Sequence, residues 1–177
     1  MRRGALAALV LAAALAVPAS TSAKDVTKLF DKAVGKVTSK PDFADAVVLE
    51  ADGAPNGRKA ADGAAQINKW LFVFQNATEG SDFASVTIRW RRGEGFGKPK
   101  GHRSPFLEDV VIKKAPKMSL NDALDLMDDA GYGRSFFNVV LRSPLGPERV
   151  PPLYIFEVAQ GTFVSVNTKT GDVEPID

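Results

Sequence analysis

The stretch that decides the fold is Leu153-Tyr154-Ile155-Phe156-Glu157-Val158-Ala159-Gln160-Gly161-Thr162-Phe163-Val164-Ser165-Val166-Asn167. It holds two strand-like runs, Leu153 to Val158 and Thr162 to Asn167, rich in aromatic and β-branched residues. A third run, Phe136 to Arg142, precedes them. Ahead of that, Leu120, Ala123, Leu124, Met127 and Ala130 recur at helical spacing as one apolar stripe. Ser119 with Asp122 resembles a capping box with Asp in place of Glu, and Gly131 fits a helix stop.

The same order occurs earlier in the chain. Val26, Leu29, Phe30, Ala33, Val34 and Val37 form an amphipathic helix with Asp25 as its N-cap. Strand-like runs follow at Ala46 to Ala51, Trp70 to Phe74 and Phe83 to Trp90. In the last run Ala84, Val86, Ile88 and Trp90 alternate with polar residues, so one face is buried and the other wet. Trp70 to Phe74 is apolar on both sides, which predicts a central strand. The halves match run for run: Ala46-Val47-Val48-Leu49 with Asn138-Val139-Val140-Leu141, Trp70 to Phe74 with Tyr154 to Val158, and Phe83 to Val86 with Phe163 to Val166. The expected fold class is α+β, as two tandem units of one helix plus a three-stranded antiparallel sheet. The corresponding segments are a signal peptide at 1–23, a first unit at 24–92, a basic Gly/Pro-rich connection at 93–117 and a second unit at 118–177.

The second half also resembles a known family. Ser119 to Leu124, Gly131-Tyr132, Pro152 to Val158 and Phe163 to Val173 are similar to a PepSY domain. That family opens its helix with Leu-acidic-Ala, carries an aromatic-x-apolar strand, and closes with a Val-Asp-x-x-Thr-Gly-x-Val turn. Asn167 stands where the family usually has Asp. The first half resembles it only weakly, because Trp90-Arg91-Arg92-Gly93 lacks the closing turn. The resemblance implies a non-enzymatic cell-envelope module, often placed near peptidases and thought to restrain them.

At the other end, Arg2 and Arg3 precede a 14-residue uncharged run, Gly4 to Val17, then Pro18 and small residues up to Ala23. This is the order of a secretory signal cut after Ala23, and it points to a periplasmic or secreted protein. The apolar run is too short for a spanning helix, which needs about 20 residues, so no transmembrane segment is expected after cleavage. The expected mature chain has 21 Lys/Arg against 21 Asp/Glu, which removes the global charge argument for nucleic acid. With no Cys, its stability rests on the apolar core alone.

No catalytic set, metal site or cofactor motif stands out. His102 is the sole histidine, set among Gly, Pro, Lys and Arg, and reads as a solvated loop side chain. Gly93 to Gly101 is glycine-rich, but Lys98 is followed by Pro99, not by the Ser or Thr of a P-loop. Asp122, Asp125, Asp128 and Asp129 read as the solvent face of a helix. Trp70 and Trp90 read as core residues. From Arg89 to Lys117, nine Lys/Arg face three acids. A mobile basic loop there, with Arg89, Arg91, Arg92, Phe96, Lys98, Lys100, His102 and Arg103, is the candidate binding site for an acidic protein surface, anionic lipid or envelope polyanion. The expected function is an exported, non-catalytic interaction module with a protein partner in the envelope, one form of which is restraint of a peptidase or other envelope enzyme. The alternative is a small-ligand or lipid carrier, which needs an apolar pocket between helix and sheet.

Overall fold

Two helices, each with one apolar stripe, lie on one face of an antiparallel sheet in the computed structural model, which describes residues 25–57, 59–107, 109–146 and 150–176. The expected signal segment, 1–23, lies outside the described residues. Helix α1 (Val26–Thr38) buries Val26, Leu29, Phe30, Ala33 and Val37, and Asp25 caps it by accepting from Thr27 N at 3.0 Å. Helix α2 (Leu120–Asp129) buries Leu120, Ala123, Leu124 and Met127 behind a complete Ser119/Asp122 capping box. Ala130, expected in the stripe, is instead the exposed C-cap. Gly131 takes φ +88° there, and Tyr132 N donates to Met127 O.

The other carboxylate oxygen of Asp25 accepts from Leu120 N at 2.8 Å. One buried carboxylate therefore serves both helix N-termini, where unpaired N–H groups and the two positive dipole ends favour it.

The strands are β1 (Val47–Pro55), β2 (Ile67–Gln75), β3 (Ser85–Arg91), β4 (Gly95–Phe96), β5 (Lys100–His102), β6 (Asn138–Arg142), β7 (Leu153–Ala159), β8 (Thr162–Asn167) and β9 (Val173–Ile176). Their order is β4-β3-β2-β1-β6-β7-β8-β9, with β5 also on β3, and every pairing is antiparallel. Two separate sheets were the expectation; the strands instead make one. The seam is β1 against β6, from Glu50↔Arg142 to Gly53↔Val139, and it pairs two edges that would otherwise be open.

The inner face carries Trp70, Phe72 and Phe74 from β2, Val86, Ile88 and Trp90 from β3, Val139 and Leu141 from β6, Tyr154 and Phe156 from β7, and Val164 and Val166 from β8. With the helix stripes these form one core. The two Trp are core residues, as expected. β1 runs four residues beyond its expected end because Gly53 lets the Trp70 ring lie on the backbone: a Cβ there would sit 2.5 Å from the ring. The third strand starts at Ser85, not Phe83, whose ring turns over Gly101.

The basic connection, expected to be a mobile loop, instead holds β4 and β5 paired on β3. Further on, the connection enters the gap where β1 and β6 diverge: Val110 N donates to Ser143 O, and Ile112 N to Val48 O. Ile112 is buried in the core. At the far edge β9 pairs with β8 past a turn capped by Asn167, whose Oδ1 accepts from Lys169 N and Thr170 N. Asn167 thus caps the β8–β9 turn with its own side chain.

Candidate functional site

The helices occupy the inner face, and the outer face of the sheet, where Val73 and Ser85 are buried, carries polar groups in two places. The first is the edge around β3. Strand alternation places Thr87, Arg89 and Arg91 opposite the buried Val86, Ile88 and Trp90. Register sets Lys69 beside Arg91, Leu71 beside Arg89 and Lys100 beside Thr87. Lys69, Arg89, Arg91 and Lys100 are all exposed. Two clefts flank this end, one of about 550 Å³ with Asn56, Asn68, Lys69, Arg91 and Arg92 in its wall, the other of about 370 Å³ with Arg89, Arg91, Phe96 and Lys98. Arg91 and Glu94 line both and form an exposed ion pair at 3.8 Å.

The structure divides the expected basic loop. Arg89, Arg91, Lys98, Lys100 and Arg103 are exposed. Arg92 is committed to the fold, its guanidinium donating to Ala65 O and Ile67 O. Phe96 packs on Phe72 with ring centroids 6.0 Å apart, so it is not a free aromatic. His102 is a strand residue, half-buried, with Nε2 3.0 Å from Thr87 Oγ1, not a solvated loop side chain. The expectation of mobility failed because β3 would otherwise present an open edge, and β4 and β5 pair with it.

The second place is the seam, which the sequence reading missed. Glu50 and Arg142 face each other across it, and Asp109 is brought in by the connecting segment. The Asp109 side chain is fully enclosed, and Arg142 Nε donates to its Oδ1 at 2.6 Å. Burial, then the neighbouring Asp109 charge, push the Glu50 carboxyl up to about 7, against the lowering effect of Arg142; a hydrogen bond between Glu50 and Asp109 adds to the rise. The Glu50 carboxyl is thus held in its protonated form more readily than a free carboxyl. Next to them Asp52 is also raised, by burial, while a hydrogen bond from Asn138 and the charge of Lys69 oppose the rise. A sequence signal existed. Matching Ala46–Leu49 with Asn138–Leu141 sets Glu50 against Arg142, two opposite charges at corresponding strand ends.

The acidic face of α2 stays exposed, with Asp125 paired to Arg134. Among the described residues no group of three or more His, Cys, Asp or Glu is placed to hold a metal ion, and no helix is long and apolar enough to cross a membrane. At the seam Asp109 is enclosed and salt-bridged to Arg142, an arrangement that suits holding a strand in place. Comparisons with protein-family models, with characterised proteins and with solved structures returned no match to this chain.

Proposed function

We propose that this chain is an exported, non-catalytic interaction module of the cell envelope, built as a tandem pair of PepSY-like units, that docks a protein partner through the outer face of its sheet. The observation that carries the reading is the asymmetry of the two layers. Both helices cover one face, while the other presents Leu71, Val140 and Ile155 half-buried beside a cationic edge. Apolar patches rimmed by polar groups are the usual ground for protein contact. Restraint of a peptidase or other enzyme is one use of such a face.

The tandem reading is supported by the placing of like parts. Each helix precedes three consecutive antiparallel strands, the first strands of the two sets meet at the seam, and the helix N-termini meet at Asp25. Trp70, Phe72 and Phe74 on β2 have counterparts in Tyr154, Phe156 and Val158 on β7. The third strands agree less well. Pairing sets Trp90 beside Trp70 and Val166 beside Tyr154, so Val166 corresponds to Trp90, four residues from the match suggested by sequence. The carrier reading loses support because aromatic side chains fill the space between helices and sheet.

The test is photo-cross-linking in the native envelope, with the cross-linker at Leu71 or Ile155 and a control at Lys32 on the outer side of α1. An adduct with one protein from the sheet positions alone supports the reading; adducts from Lys32 alone, or none, refute it. Sequencing of the mature N-terminus checks export, with Lys24 expected first.

A further inference from the structure

We propose that the cations on the outer face of β3 and its neighbours bind an extended acidic segment of the partner protein, with carboxylates at alternate residues. This rests on the docking reading above and names what the face recognises. The cations form a grid set by strand pairing: Lys100 beside Thr87, then Arg89, then Arg91 with Lys69 beside it. Successive positions along β3 are two residues apart, about 6.7 Å at the rise of a strand. Alternate side chains of any extended peptide share that repeat, so three carboxylates on one side of a partner strand meet three cationic positions in register.

Two further features favour this occupant. Lys69 and Arg91 are directly opposite, an arrangement of like charges that costs stability in a sheet. The charge of Asp52 near Lys69 and the exposed Glu94, 3.8 Å from Arg91, offset it only in part, and the Glu94 pair is easily displaced. A partner carboxylate would relieve that repulsion on docking. Leu71, beside Arg89, gives the grid an apolar flank that the methylene stems of Glu side chains can cover and a phosphate polymer cannot.

The experiment measures binding of two synthetic peptides of one composition to the full chain, by fluorescence anisotropy at low and moderate salt. One peptide alternates Glu with Thr and Val; the other groups its Glu residues in a block. The expected result is at least tenfold tighter binding of the alternating peptide, lost in Arg89→Glu/Lys100→Glu and kept in Lys32→Glu. Circular dichroism melts confirm that each variant is folded. Equal affinity for the two peptides, or tighter binding of polyphosphate or phosphatidylglycerol vesicles than of either, overturns the proposal. If cross-links from Leu71 persist in Arg89→Glu/Lys100→Glu, the docking face stands and the acidic-segment assignment falls.

Discussion

The seam and the β3 edge lie on the same face of one sheet and use charge in opposite ways. At the seam, Glu50, Asp109 and Arg142 are drawn from strands and a connection far apart in the chain, with Asp109 enclosed and the other two partly buried. At the edge, Lys69, Arg89, Arg91 and Lys100 come from adjoining strands and stay in water. Enclosed charges are costly to leave unpaired, whereas exposed ones contribute little to stability in either direction. The seam is therefore expected to matter for folding, and the edge, on the docking proposal, for encounter; substitution should separate them.

The largest effect is expected from Arg142→Met, which leaves the enclosed Asp109 without its cation. We expect a loss of about 3 kcal/mol in urea unfolding at pH 7, by analogy with other broken buried pairs. A loss below about 0.5 kcal/mol would mean that the seam is no more demanding than the edge. Next is Gly53→Ala on the inner side of the seam strand. Its added methyl would collide with the Trp70 ring, for an expected loss of about 1–3 kcal/mol and a blue or red displacement of tryptophan emission.

A smaller, pH-dependent effect follows from Glu50, whose carboxyl is raised from 4.5 to about 7 in the folded chain. The folded state then holds this proton more tightly than the unfolded state. The stabilisation is complete below pH 4.5 and is lost as pH rises through about 7. The shift corresponds to about 3 kcal/mol at most, or about 1–2 kcal/mol after allowing for solvent screening of a partly exposed group. Glu50→Gln, whose amide can donate to Asp109 at any pH, should flatten this part of the stability profile between pH 5 and 8. An unchanged slope would remove Glu50 as its source. The smallest effects belong to the edge. Arg89→Glu should alter stability by no more than about 0.5 kcal/mol, and Lys69→Thr should gain a few tenths, about 0.3 kcal/mol, by ending the like-charge pair with Arg91.

Local periodicity made most elements legible. The stripes of α1 and α2, the caps at Asp25 and Ser119, the stop at Gly131 and the cores of β2, β3, β6, β7 and β8 are all written in short-range spacing. The short strands β4 and β5 have two and three residues among Gly and Pro, too few to show a period; the open edge of β3 creates them. The single sheet was illegible for a related reason, since no local pattern says which strand edge meets which. Of the candidate residues, Arg89, Arg91, Lys98, Lys100 and Arg103, picked out by charge density, stay exposed, while Arg92 and Phe96 were taken into the fold by contacts that composition does not encode. The seam acids depend on long-range pairing, so only the comparison of the two halves hinted at them.

The adjacency of Glu50 and Arg142, together with the bond from Leu120 to Asp25, bears on how the molecule assembles. Hairpins such as β2–β3 and β7–β8 can close early, because their loops are short. The central junction joins residues 86 to 92 positions apart, so it has to wait until both portions have emerged. Until then each portion carries an unzipped margin of backbone, and a helper that shields that margin would raise the yield of folded product more than one that catalyses any local step.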